Sequence, residues 1–129
     1  MKKVLAFGTF DHLHPGHEYF LTEAKKLGDH LTVIVGRDTT VKQIKGKLPR
    51  QTENERLTAI QDLSFVDKAR LGNQGDKFQV ITEEAPDIIA LGYDQTAFVD
   101  ELTIRFKQTI PIVRLESFFP EKYKSSKMI

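Results

Sequence analysis

Cysteine is absent from this 129-residue chain. Without it there is no disulfide framework and no thiolate nucleophile, which fits a reducing compartment. Long apolar runs are missing too. The stretch after Met1-Lys2-Lys3 is too short for a secretory signal and none is long enough to span a bilayer, so the expected location is the cytoplasm, with no membrane partner. Excess charge is lacking as well: 19 Lys and Arg stand against 18 Asp and Glu, a formal net charge of +1. That balance argues against a nucleic-acid partner and an acidic tail, while leaving room for a local basic patch. Nothing repeats, and no linker or low-complexity segment divides the chain. At 40% hydrophobic and 29% charged, residues 1–129 are expected to form one domain with a substantial core.

The most informative stretch is Gly8-Thr9-Phe10-Asp11-His12-Leu13-His14-Pro15-Gly16-His17. It follows the apolar run Val4-Leu5-Ala6-Phe7 and leads into a segment of helical period starting near Pro15, so it reads as a strand–loop–helix junction. Gly8 lets the backbone turn or be approached closely. Pro15 suits a first helical turn, where its missing N–H leaves nothing unpaired. A helix N-terminus offers N–H donors and a positive dipole end, which together attract anions. His14 and His17, three residues apart, would lie on one face of that turn. Two imidazoles above such a helix end suit a phosphate, and a reacting phosphate most of all. Paired histidines also suit a metal, but zinc would need a third or fourth ligand, which here only Asp11 or the remaining histidines could supply. His12 and His30 read as solvated surface residues.

From Pro15, Tyr19, Phe20, Ala24 and Leu27 recur at helical spacing, with Gly28 in the position of a C-terminal cap. Residues 31–36 form a second β-rich run, which makes 4–36 a βαβ unit. Residues 39–49 are basic and lack a clear period; Lys42, Lys45, Lys47 and Arg50 form either a solvated face or a phosphate-binding set. Thr52-Glu53-Asn54-Glu55 is a capping box that starts a helix with Leu57, Ile60 and Leu63 on its apolar side. A weaker strand is expected over 65–71, a turn over 72–76, and a short helix over 77–85 that stops before Pro86. A clear strand follows over 87–92, then a helix over 96–108. Residues 110–115 read as an edge strand, because Pro111 cannot donate to a ladder. The basic tail is expected to turn helical from Glu121. This alternation predicts an open α/β sheet, mostly parallel, of about five strands flanked by helices. Ligands of such sheets collect beyond the strands' carboxyl ends, where strand order reverses. The polar clusters after predicted strands, Thr9 to His17, Arg37-Asp38 with the lysines, and Gly92-Tyr93-Asp94-Gln95, converge there.

The string Gly8-Thr9-Phe10-Asp11-x-x-His14-x-Gly16-His17 resembles the signature of the cytidylyltransferase-like nucleotidyltransferases, at every fixed position. The resemblance extends over essentially the whole chain and implies a Rossmann-like fold and nucleotidyl transfer. An acceptor phosphate would attack the α-phosphate of a nucleoside triphosphate and displace pyrophosphate. It also implies that His14, His17 and the backbone of Gly8, Thr9 and Phe10 hold nucleotide phosphates. By spacing from Arg56 and Phe65-Val66-Asp67, the family's phosphate lysines fall on Lys45 and Lys47, and Arg56 matches an arginine of the nucleotide site. Gly92 and Asp94 match positions beside base and ribose, and Ser125-Ser126-Lys127 a second C-terminal element. His14, His17, Lys45 and Lys47 are then the expected catalytic groups. Mg2+ is expected on the triphosphate, held mainly by substrate oxygens and water, with no protein ligand assigned. A homodimer is implied by analogy.

Residues 36–42 together with 86–95, above all Leu91-Gly92-Tyr93-Asp94-Gln95, resemble the archaeal-type FAD synthases, which adenylylate FMN from ATP. That group often carries cysteines near the C-terminus, which this chain lacks. The alternative is a glycerol-3-phosphate cytidylyltransferase using CTP. Its characteristic tail begins Arg-Thr-x-Gly, where this chain has Phe119 and Lys122 in place of the arginine and glycine. Phe118, Phe119 and Tyr123 offer either an apolar surface for an isoalloxazine ring or a core or dimer contact. A nucleotide-binding module without catalysis is the third reading.

Overall fold

The computed structural model describes residues 2–76, 78–92, 95, 98–106 and 108–115. Among these residues five strands, β1 (Lys3–Gly8), β2 (His30–Val35), β3 (Lys68–Leu71), β4 (Ile88–Leu91) and β5 (Ile112–Arg114), form one sheet in the order β3-β2-β1-β4-β5. Every pairing is parallel. The chain builds outward from β1 to one edge, then returns to the other side of β1, so strand order reverses between β1 and β4. This is a Rossmann-like sheet, and its reversal point is where a ligand crevice is expected.

Among the described residues five helices cover the sheet: α1 (Pro15–Lys25), α2 (Asp38–Lys45), α3 (Glu53–Gln61), α4 (Gln79–Glu84) and α5 (Val99–Phe106). The alternation of β1 divides the core. Val4 and Ala6 join Leu21, Ala24 and Ile60 from α1 and α3, whereas Leu5 joins Val80, Ile81 and Leu102 from α4 and α5. None of the described helices is long and apolar enough to cross a membrane.

Several boundaries differ from the sequence expectation for identifiable reasons. The aperiodic stretch after β2 contains α2, which ends on Gly46 at φ 80°. Val41 is its one buried residue, and Thr39-Thr40-Val41 is a β-branched run of low helix propensity, so no periodic signal marks it. Gly28 is not a left-handed cap, since α1 ends earlier, at Lys25. A β-carbon at Gly28 would lie 2.6 Å from the Lys2 carbonyl oxygen, so the glycine serves close approach. The third strand starts at Lys68 rather than 65, because Val66 N closes a turn onto Leu63 O at 3.1 Å and the Asp67 side chain, not its backbone, takes Leu31 N at 2.7 Å along with Lys25. The Thr52 capping box and the edge position of β5 are as expected.

Glu84 on α4 is buried beneath three cations. Lys3 Nζ lies at 3.0 Å, Lys68 Nζ at 2.9 Å and Arg70 Nη1 at 3.1 Å from its carboxylate. Burial alone would raise its pKa, but these hydrogen bonds outweigh it and bring the pKa down to about 2. A depressed carboxylate pKa stabilises the fold above the unfolded value and loses that contribution as pH falls through the folded one. Acid should therefore weaken the protein progressively from pH 4.5 to about 2. The loss is on the order of 2 kcal/mol, discounted because Lys3 and Lys68 are partly in water. Urea titrations across that range should show the slope in the wild type and a flatter one in Glu84→Gln.

Candidate active site

The motif loop leaves β1 at Gly8 and doubles back at once. Phe10 takes φ 55° and His12 φ 54°, left-handed values uncommon for such residues, and Phe10 is buried. Its ring lies over Gly8, where a β-carbon would approach ring atoms to 2.4 Å. Gly8 is thus required so that Phe10 can fold over it and present an edge to His17, with ring centroids 5.4 Å apart at 82°.

Strain of this kind persists only where the surroundings hold it. Asp11 accepts the N–H groups of Gln51 and Arg50, both at 2.9 Å, and Gln51 Oε1 accepts His12 N at 2.9 Å. Burial works to raise the Asp11 pKa, but the two backbone N–H groups prevail and lower it, so Asp11 stays ionised. Arg56, fully buried on α3, donates to the carbonyls of Thr9 (2.9 Å), Gly36 (2.7 Å) and Gln51 (3.2 Å) and to Asp38 Oδ1 (2.7 Å). Asp38 and Glu53 then cap each other's helix: Asp38 N donates to Glu53 Oε1 at 2.9 Å and Glu53 N to Asp38 Oδ2 at 3.4 Å.

His14 is the N-cap of α1 and His17 its third residue. Gly16 N donates to His14 Nδ1 at 3.0 Å, and His14 N donates to His17 Nδ1 at 3.3 Å. This is a capping box built from imidazoles, with the rings stacked at 3.6 Å and 25°. Because each Nδ1 accepts a backbone hydrogen, each ring carries its proton on Nε2. The expectation of one shared face holds, although His14 lies just outside the helix.

A cavity of about 920 Å³ opens at the carboxyl ends of the strands. Gly8, Thr9, Phe10, His14, His17, Lys45 and Gly92 all line it, so the structure brings these seven predicted residues together. Lys47 does not line it. Nor does Arg56, for which the resemblance implies a nucleotide contact: its guanidinium is spent on the loop carbonyls and Asp38, so it shapes the site from behind. Asp94, Ser125, Ser126 and the tail aromatics lie outside the described residues. Local reading missed Asn73, a residue of the turn after β3, and the apolar group Phe78, Phe98, Val99 and Leu102. These four are apolar residues in and beside helices, and helical spacing alone does not separate a residue that packs from one that lines a cavity.

The N-terminus of α1 opens into the cavity at the reversal point of the parallel sheet, with His14, His17 and Lys45 lining it, an arrangement suited to an anionic ligand. The chain belongs to the cytidylyltransferase-like family, whose model matches residues 5–129. It is 44% identical over 98% of its length, and 90% of the relative's, to an FAD synthase of Thermoplasma volcanium. It is likewise 44% identical to an FAD synthase of Methanolacinia petrolearia, over 100% of this chain and 88% of that one. Among solved structures, one from Thermoplasma volcanium described as a lipopolysaccharide core biosynthesis protein superimposes with a TM-score of 0.84. It is 45% identical, with 92% of this chain and 98% of that chain covered.

Proposed function

We propose that this protein is an FMN adenylyltransferase, an FAD synthase. A phosphate oxygen of FMN attacks the α-phosphorus of ATP, the bond to the β-phosphate oxygen breaks, and FAD and pyrophosphate result. The FAD synthase relatives, similar along nearly the whole chain, carry this reading. The cavity supports it, since Phe78, Phe98 and Leu102 add apolar wall that a flavin ring uses and glycerol 3-phosphate does not.

Such displacements need positioning and charge neutralisation more than covalent help. In this reading His14 and His17 donate from Nε2 to the reacting phosphate, Lys45 meets the triphosphate, and the α1 N-terminus adds its dipole. Among the described residues no three His, Cys, Asp or Glu side chains converge as a metal site, and both Asp11 oxygens already accept N–H groups. In this reading Mg2+ enters as part of the nucleotide substrate, coordinated by phosphate oxygens and water. One catalytic domain spanning 1–129, a homodimer, a cytoplasmic location, and nucleotide contacts from Asp94, Ser125 and Ser126 belong to the same proposal.

The test is pyrophosphate release with each nucleoside triphosphate, with and without FMN or glycerol 3-phosphate. Release is expected with ATP and FMN together. Release only with CTP and glycerol 3-phosphate would replace the reading with the cytidylyltransferase, and release under no combination would favour a binding module.

A further inference from the structure

The two central strands separate at the site. β1 pairs with β2 as far as Gly8↔Val35, and β4 pairs with β5 as far as Leu91↔Arg114, yet the β1–β4 register ends at Ala6↔Ala90. Continued by two residues, that register would set Gly92 opposite Gly8, with the Gly92 N–H on the Phe7 carbonyl as the next rung. A side chain occupies that rung instead. Gln95 Oε1 accepts Gly92 N at 2.7 Å, and Gln95 Nε2 donates to Phe7 O at 3.1 Å.

A primary amide offers the same donor and acceptor as a peptide group, so both backbone groups stay satisfied. The spacing changes: two hydrogen bonds and an amide now separate groups that one bond of about 2.9 Å would join. The wedge is held from behind as well. Arg114 Nη1 donates to Gly92 O at 2.8 Å and to Gln95 O at 2.9 Å. Phe7, Gly8, Leu91, Gly92 and Gln95 all line the cavity, so the split forms part of its wall.

We propose that Gln95 is a positioning residue, an amide wedge in the sheet that holds β1 and β4 apart and sets the width of the nucleotide cleft. This rests on the nucleotidyl-transfer reading and adds the residue that gauges its cleft. Closing the split would draw Gly92 toward Phe7 and narrow the crevice beneath the bound nucleotide. Leaving it open without the amide would strand a backbone donor and a backbone acceptor.

Gln95→Glu provides a switchable version. Protonated, glutamic acid has a donor and an acceptor and can bridge Gly92 N–H and Phe7 C=O. Ionised, it has acceptors only and turns an oxygen against the Phe7 carbonyl. The measurement is the ATP dissociation constant of the variant divided by that of the wild type, from pH 5 to pH 8. The ratio cancels contributions common to both proteins from Asp11, His14, His17, Arg37 and Lys45 on the cavity and Arg114 on β5. The expected ratio is about tenfold or more at pH 8 and falls as the pH is lowered toward 5, because the Phe7 carbonyl facing the new carboxyl group favours its protonated form. Gln95→Met, which fills the space without polar atoms, should bind about tenfold more weakly at every pH.

Loss of fold alone would lower the number of sites and leave their affinity unchanged, and circular dichroism melts at each pH report it separately. A ratio that stays flat near one, or a fall in site number alone, would overturn the wedge while leaving nucleotidyl transfer intact. If the wild type binds CTP and not ATP, the same series runs with CTP, and the FAD synthase reading falls by itself. A wild type that binds neither nucleotide overturns both.

Discussion

Replacing His14 or His17 by alanine is expected to lower the rate of pyrophosphate release at saturating substrates about 100- to 1,000-fold. That is the usual effect of deleting one preorganised donor aimed at developing charge. The geometry allows a sharper version, because His14 has two duties. Its Nδ1 caps α1 through Gly16 N, and its Nε2 carries the donor assigned to chemistry. Asparagine is a good N-cap without an imidazole donor, so His14→Asn should keep the thermal midpoint while losing the rate. His14→Ala should lose both, with a stability deficit of about 1 kcal/mol from the missing cap. The stacked rings also act as a unit, so the double alanine variant should fall little further than either single one. A His14→Asn enzyme with wild-type kcat would remove His14 from the chemistry and leave it as a cap alone.

Arg56→Ala should be the most destabilising single change among these residues. It leaves the carbonyls of Thr9, Gly36 and Gln51 without this donor and the Asp38 carboxylate without its buried cation. Asp38 is only half-buried, so the cost lies mainly in the lost hydrogen bonds of the buried arginine, which with the ion pair come to about 3–5 kcal/mol. That is a large share of the roughly 5–15 kcal/mol that holds a domain folded. Arg56→Lys should recover only part of it, since one ammonium cannot reach four acceptors placed for a planar fork. Urea unfolding monitored by circular dichroism reads this as a shift of about 2 M in midpoint. The resemblance implies the opposite pattern: if Arg56 touches nucleotide, Arg56→Ala should unfold near the wild-type midpoint and raise the KM for ATP instead. The two measurements on one variant separate a brace from a ligand.

These residues also show what was legible beforehand. The His14–His17 pair was readable because its geometry is local: Pro15 at the first helical position and a three-residue spacing already dictate a shared face. The Thr52–Glu55 capping box was readable for the same reason. Helix α2 was not, since one buried residue in eight leaves no stripe. The stacking of the two imidazoles and the tautomer it accompanies were not legible either, because spacing alone does not say which nitrogen meets the backbone.

Arg56 marks the limit most clearly. From sequence it is an arginine in the first turn of an amphipathic helix, on the face beside Ile60, and its residue type suits phosphate. Its partners at Thr9 and Gly36 lie 47 and 20 residues away. Gln95 is a stronger case, joined to Phe7 across 88 residues. By itself the sequence determined the alternating α/β pattern, the helix start after the first strand, and the family these define, because each is written in residues that are neighbours in the chain. Only the tertiary structure decided that Arg56 turns inward, that Lys45 reaches the cavity without Lys47, and that an amide splits the sheet at Gly92. Those outcomes depend on where the reversal between β1 and β4 brings distant backbone groups together, and local periodicity does not encode that distance.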